Sequence, residues 1–182
     1  MRDPLKLILT FFLLFAACSV FGWVYEMLFY RIDRGRFIKR GQGLGPWLPI
    51  YGFGGLGLAL LTWDRALSPL FVFLLSVIGS GVLEFAVGWA LYTFCGGLRL
   101  WDYNTEIWNW GNIGGYICAR SVLIFGVFGL VLYYGMIPMI RDLVERAGSA
   151  LFLPALVLAV LLLADMGYAY LVRPLKGGGL KN

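Results

Sequence analysis

Apolar residues occur along this chain in long, nearly unbroken runs, and they do not alternate with polar residues. A helix needs about 20 apolar residues to cross the roughly 30 Å of bilayer hydrocarbon. Five runs approach or exceed that length, at residues 5–30, 50–63, 70–94, 113–137 and 151–172. The pattern predicts an all-α, polytopic transmembrane helix bundle of about five spans, with residues 1–182 forming a single transmembrane domain.

The second apolar run differs from the others in length and in composition. It contains four glycines within residues 52–57 and follows Pro46 and Pro49. Non-helical backbone at membrane depth is tolerated where protein or a cavity surrounds it. We therefore expect a second span that is short, or one that is preceded by a re-entrant loop of glycine and proline.

Two segments of the chain resemble each other weakly. Residues 19–22, Ser-Val-Phe-Gly, lead to Glu26, and residues 76–79, Ser-Val-Ile-Gly, lead to Glu84. A polar, aromatic-rich loop and a glycine-rich helix start follow each glutamate. The pattern is typical of a weak parallel internal repeat, although chance similarity explains it equally well.

Composition excludes several classes of protein. Hydrophobic residues make up 60% of the chain and charged residues only 14%, against about 25% charged in soluble domains. No histidine is present, and the three cysteines form no CxxC pair. Catalysis by Ser-His-Asp or Cys-His groups and a zinc site are thus excluded, and we expect neither a metal nor another cofactor.

The basic residues predict the orientation in the membrane. With five spans, nine lysines and arginines lie on the side of the first loop, the third loop and the C-terminus, and five lie on the other side. Because cytoplasmic loops carry the excess of positive charge, the N-terminus should be outside and the C-terminus cytoplasmic. This juxtamembrane charge also accounts for the net charge of +5 without a nucleic-acid partner.

Glu26 and Glu84 are the clearest candidates for a functional site. An ionised side chain near the bilayer centre costs about 3 kcal/mol or more and usually faces the interior of a bundle or a cavity. Each glutamate also lies near a glycine that permits close helix approach, Gly22 and Gly81. Both side chains should point inward. For Glu26 a second interpretation is a snorkelling residue near the helix end that pairs with Arg31.

Two further charges fall inside predicted spans. Arg120 is the natural counter-charge for Glu26 or Glu84, because guanidinium matches carboxylate in dry surroundings, although a purely structural ion pair is equally compatible with the sequence. Asp165 in the last span is interpreted as a residue that joins helices, because polar side chains in membrane helices often bond to a neighbouring helix.

Polar residues of the first and third loops complete the candidate site. The first loop, residues 39–52, is rich in glycine and proline, and its free N–H groups could bind an anion or a substrate carbonyl, or simply form a turn. The third loop carries polar side chains that a belt of interfacial aromatic residues does not explain. We predict one cavity that opens to the cytoplasm, with unknown catalytic residues and this substrate-binding set: Glu26, Arg40, Tyr51, Glu84, Asp102, Tyr103, Asn112 and Arg120.

The order of motifs over about residues 19–140 is similar to that of a known bacterial family. The motifs are Gly-Trp-Val-Tyr-Glu at 22–26, Arg-Gly at 40–41, Gly-Pro-Trp-Leu-Pro-Ile-Tyr-Gly at 45–52, Leu-Glu at 83–84, Trp-Asp-Tyr at 101–103, Asn-Ile-Gly at 112–114, Ile-Cys at 117–118 and Pro138. They resemble the ABC-transporter type IV permease family of integral membrane proteins. Lys39 and Asn104 stand where that family usually has asparagine and serine.

The resemblance implies a transport-related protein of the bacterial membrane. The chain has no ATP-binding motif, so a permease of this kind needs a separate ATPase subunit as its source of energy. An uncoupled carrier and an ion-coupled transporter are also compatible with the residues, as is a homo-oligomer. In each case a small polar or charged substrate would bind in the intramembrane cavity.

A second hypothesis is a membrane-embedded enzyme that acts on a lipid or a prenyl phosphate. Glu26, Glu84 and Asp102 would then supply acid and base groups, and Arg40 would hold a phosphate. A third is a structural or assembly partner for other membrane proteins. A flat apolar face with no cavity would support this third hypothesis.

The predicted topology can be tested by cysteine accessibility. In a background without the three native cysteines, Arg36→Cys and Ala147→Cys should react with a membrane-impermeant maleimide from opposite sides of the membrane, because one lies in the first loop and the other in the fourth. The measurement compares intact cells with inverted vesicles. Labelling of both positions from the same side would rule out the five-span arrangement.

Overall fold

Helices account for most of residues 3–172, the part of the chain that this computed structural model describes. Six α-helices follow in order: α1 Pro4–Asp33, α2 Pro49–Thr62, α3 Pro69–Phe94, α4 Ala119–Val131, α5 Ile137–Ala147 and α6 Phe152–Gly167. Shorter turns of 3₁₀ or π helix occupy Tyr103–Thr105, Leu132–Met136, Gly148–Leu151 and Tyr168–Val172. The predicted all-α class is confirmed.

Each of the first three helices begins with a proline. Proline suits the first helical position because the backbone N–H that it lacks would have no partner there. Asp3 caps α1 by accepting a hydrogen bond from Leu5 N at 2.9 Å, and Ser68 caps α3 by accepting one from Phe71 N at 3.3 Å. The sequence thus defines these helix starts locally.

The chain runs from α4 to α5 without leaving the helical conformation. A π turn at Leu132–Met136 joins them, and the Ile137 N–H bonds to the Leu132 carbonyl five residues earlier. Pro138 follows directly, and its ring would clash with a carbonyl in a regular helix. The wider π turn allows the helix to continue past this proline.

Two groups of contacts define opposite ends of the bundle. Lys6 Nζ lies 2.5 Å from Glu145 Oε2, which joins the start of α1 to the end of α5. Arg141 Nη1 lies 2.7 Å from Asp64 Oδ1, which joins α5 to the loop after α2. At the other end, which we call the loop end, residues 34–48 meet residues 95–118 and the last turns of α6. The chain therefore reverses between α5 and α6, where Gly148 adopts a φ of 53°.

The fourth helix begins at Ala119, so the predicted start at residue 113 is wrong. Gly114 and Gly115 have φ angles of 61° and 79°, which a right-handed helix cannot include. Ile113 N instead donates to the Ile117 carbonyl at 2.9 Å across a tight turn. The six residues lost from the helix extend the third loop over the end of the bundle.

Three helical stretches of the described chain are long and apolar enough to cross a membrane: Pro4–Asp33, Pro69–Phe94 and Ala119–Leu171. The last of these contains the reversal at Gly148. Helix α2 has 14 residues, or about 21 Å at 1.5 Å per residue, so the second apolar run forms a short helix. The count of five spans and the internal repeat stay predictions, and residues 1–2 and 173–182, which include both termini, lie outside the described residues.

The first four helices pack as two tight pairs. Gly22 of α1 lies against the Tyr51 ring of α2, and Gly129 of α4 lies so close to Ser76 of α3 that an added Cβ would overlap it. Between the pairs the contact is looser, and a Cβ at Gly54 of α2 would approach Leu83 of α3 to 3.4 Å. Small residues thus bring α1 to α2 and α3 to α4, while space remains between α2 and α3.

Substituting Gly129 tests this packing. Gly129→Ala should lower the free energy of unfolding by about 1–3 kcal/mol, because the added methyl group forces α3 and α4 apart. The measurement is the thermal unfolding midpoint of the purified protein in detergent. Gly135→Ala is the matched control, since a Cβ there meets nothing within 4 Å. Equal midpoints for the two variants would contradict the close α3–α4 contact.

Candidate functional site

A cavity of about 320 Å³ lies between the two helix pairs. Helices α1 to α4 form its walls, and residues of the first and third loops cover its polar end. The charged residues that line it are Glu26, Arg40, Glu84, Glu106 and Arg120. Most other lining residues are aromatic, aliphatic or glycine, so the cavity has one polar end and an apolar body.

Glu26 is held by one residue from the first loop and one from α2. Arg40 Nε lies 2.6 Å from Glu26 Oε2, and the Tyr51 hydroxyl donates to Glu26 Oε1 at 3.1 Å. Both partners belong to the predicted site. The alternative pairing with Arg31 is wrong, because Arg31 donates to the Gly35 carbonyl instead.

Glu84 lies deeper, with only 6% of its surface exposed. The Tyr103 hydroxyl donates to Glu84 Oε1 at 2.6 Å, and the Ser121 hydroxyl donates to Oε2 at 3.1 Å. Within residues 3–172 Glu84 forms no ion pair. Two neutral hydroxyl groups, and no basic group, thus hold the carboxyl group of Glu84.

Tyr103 reaches Glu84 from the third loop, in the 3₁₀ turn at Tyr103–Thr105. Burial raises the pKa of the Tyr103 phenol well above its usual value, and the charge of Glu84 and the hydrogen bond to it act in the same direction. Because the phenol keeps its proton, it remains a hydrogen-bond donor to the carboxylate at physiological pH.

Arg120 pairs with Glu106 of the third loop, so the expectation that it neutralises Glu26 or Glu84 is wrong. Arg120 Nη2 lies 2.6 Å from Glu106 Oε2, and its guanidinium carbon lies 4.1 Å from the centre of the Phe29 ring. The Tyr30 hydroxyl also donates to Glu106. Sequence reasoning missed Glu106 because a loop carboxylate is normally solvated, whereas this loop folds back onto the bundle.

Asp102 and Asn112 hold the third loop together and do not line the cavity. Asp102 Oδ1 accepts from Asn104 N at 3.1 Å and from Asn104 Nδ2 at 2.7 Å. Asn112 Oδ1 accepts from Gly115 N at 2.8 Å. Six of the eight predicted residues therefore lie around one cavity, and these two position the loop that carries Tyr103 and Glu106.

Asp165 fixes the first loop in a similar way. Its carboxylate accepts from Leu44 N at 2.6 Å, from Gly45 N at 3.1 Å and from Trp47 Nε1 at 2.7 Å. The backbone N–H groups of Leu44 and Gly45 thus bind a carboxylate of the protein itself. Asp165 thus joins α6 to the first loop, whereas the sequence predicted that it would join two helices.

Among residues 3–172, acidic side chains outnumber basic ones around the cavity. Three carboxyl groups face two guanidinium groups, and each guanidinium has its own carboxylate partner. Glu84 is the carboxyl group that has no guanidinium partner. Rings of Tyr25, Phe125 and Phe128 also line the cavity, with centroids 4.9–5.9 Å apart. A carboxyl group without a basic partner in a cavity with aromatic walls suits an organic cation.

Comparison with known proteins gives one match. The family described as "Putative ABC-transporter type IV" matches residues 13–170 of the chain. No curated protein and no solved structure matches it.

The buried ion pair can be tested by neutralising Glu106. Glu106→Gln should destabilise the protein by about 3–5 kcal/mol, because Arg120 is left buried without a counter-charge. Asp142→Asn is the control, since it breaks an exposed ion pair with Arg146 and should cost about 0–1 kcal/mol. Thermal unfolding in detergent measures both. A similar small loss in both variants would mean that Glu106 is solvated in the folded protein.

Proposed function

Since the chain belongs to this ABC-transporter type IV family, we propose that this transport-related membrane protein binds a small organic cation in the cavity at Glu84. The observation that carries the proposal is the carboxylate without an ion pair at the inner edge of an otherwise neutralised cluster. A cation that reaches Glu84 would supply the missing positive charge, and transport would then move it across the membrane.

The two ion pairs support this assignment because they neutralise the other charged residues of the cavity. Arg40 is occupied by Glu26 and Arg120 by Glu106, with nitrogen–oxygen distances of 2.6 Å in both cases. Since each guanidinium already has a carboxylate partner, an anion would have to compete with that carboxylate in order to bind. Glu84 needs only to exchange hydrogen bonds from two hydroxyl groups.

The aromatic walls add selectivity for organic over inorganic cations. A cation near the face of an aromatic ring gains up to about 2 kcal/mol when both are desolvated. Small inorganic ions lose more hydration on entering such surroundings than a large organic cation does. The site therefore favours an amine or a quaternary ammonium group.

We place the protein in the bacterial inner membrane, with the loop end of the bundle on the cytoplasmic side. The basic residues at the end of α1 and in the first loop support this orientation; they are Arg31, Arg34, Arg36, Lys39 and Arg40. A separate ATPase subunit would meet the same face if the protein acts as a permease subunit. A homo-oligomer is compatible with this arrangement.

The enzyme hypothesis has less support. It requires Asp102 near the substrate and Arg40 free for a phosphate. Asp102 is engaged with Asn104 in the third loop, and Arg40 is paired with Glu26. Transport is the better interpretation of these contacts.

The test is cation uptake into proteoliposomes, with the protein alone and with a candidate ATPase. Wild type should take up at least one compound from a panel of amines and quaternary ammonium ions. Glu84→Gln should reduce the initial rate by about tenfold or more, because a charge-assisted contact is worth about 1.5–3 kcal/mol.

Glu145→Gln serves as the matched control. It removes a glutamate charge at the opposite end of the bundle, where Glu145 pairs with Lys6, and it should leave the rate unchanged. The proposal fails if wild type and Glu84→Gln move every compound of the panel at equal rates in both settings.

A further inference from the structure

The shape of the cavity indicates which class of organic cation binds there, an inference that rests on the proposed function. We propose that the ligand is a cationic amphiphile with a single apolar chain, and that it reaches the site sideways from the bilayer between α2 and α3. Its charged group would lie at Glu84, and its chain would occupy the apolar body of the cavity.

The cavity is long and its polarity is one-sided. Along α4 and the following π turn it is lined from Arg120 to Met136, which corresponds to roughly 24 Å of helix. The five charged residues all lie at the loop end. Toward the opposite end of the bundle, the walls consist of residues such as Leu58, Leu75 and Leu132. A compact hydrophilic cation would occupy only the space at the loop end and would leave the apolar part of the cavity unfilled.

The wall between α2 and α3 is incomplete at membrane depth. Gly57 of α2 and Gly79 of α3 both line the cavity, and a Cβ added at either would meet nothing within 4 Å. Nearer the loop end the two helices are closer, since a Cβ added at Gly54 would lie 3.4 Å from Leu83. The lateral path of the proposal runs through the open space at Gly57 and Gly79.

The gap lies close to Glu84 along α3. Gly79 lies five residues before Glu84 on the same helix, or roughly 7–8 Å along its axis. A charged group that enters at Gly79 therefore needs to move by about one and a half helical turns to reach Glu84. The attached chain can remain below it, in contact with apolar residues throughout.

Ligand-induced thermal stabilisation of the purified full-length protein in lipid nanodiscs tests the proposal. Three probes separate charge from chain: decyltrimethylammonium has both, tetramethylammonium has only the cationic group, and decyl sulfate has a chain with the opposite charge. A ligand that binds the folded state raises the unfolding midpoint according to its concentration and affinity. Decyltrimethylammonium should bind at least about tenfold more tightly than tetramethylammonium, because its chain is buried.

Two variants separate the site from its access path. Glu84→Gln should abolish the stabilisation by both cations. Gly57→Leu should fill the gap and slow the association of decyltrimethylammonium by about tenfold or more, as measured by stopped-flow quenching of tryptophan fluorescence, with the association rate of tetramethylammonium unchanged. Gly135→Leu is the matched control, because Gly135 also faces open space but does not line the cavity, and it should bind both cations as wild type does.

The outcomes distinguish the cation site itself from the amphiphilic ligand and its lateral path. If tetramethylammonium binds as tightly as decyltrimethylammonium, the amphiphile is rejected, and if Gly57→Leu takes up decyltrimethylammonium as fast as wild type, its lateral path is rejected; in both cases the cation site stands. If neither cation stabilises the protein in a Glu84-dependent way, the proposed function itself is rejected. Equal stabilisation by decyl sulfate, unaffected by Glu84→Gln, would show a nonspecific chain effect and reject both.

Discussion

Charged side chains inside an apolar bundle require partners, and this requirement shapes the loop end of the protein. Glu26 and Arg120 lie on helices that present few other polar groups, so their partners come from outside those helices. The first loop supplies Arg40, and the third loop supplies Glu106. Each of the two loops is thereby tied to the end of the bundle by an ion pair.

Other hydrogen bonds order the same two loops. Asp165 binds three N–H groups of the first loop, and the hydrogen bonds of Asp102 and Asn112 stiffen the third. A flexible loop would lose conformational entropy each time its charged residue docked. Because the loops are already ordered by their own contacts, Arg40, Tyr103 and Glu106 are held in position for the helices.

The features that could be predicted from the sequence are those that depend on local rules. Glu26 and Glu84 were expected to point inward and to meet an arginine or a tyrosine, and Tyr51 and Tyr103 donate to them. The partner of Arg120 could not be predicted, because it depends on how a loop of more than 20 residues folds back. The same loop shortened the fourth helix, where Gly114 and Gly115 break a run that hydrophobicity alone would make helical.

The uneven number of charges has a consequence for the working cycle of the proposed transporter. When a monovalent cation occupies the cavity, the cluster is electrically neutral, so sealing it from water carries little electrostatic penalty. Sealing the vacant cavity would trap a net negative charge in a medium of low dielectric constant, which is costly. Occlusion is thus favoured by occupancy, and a vacant carrier could return only with a proton or another cation in the place of the ligand.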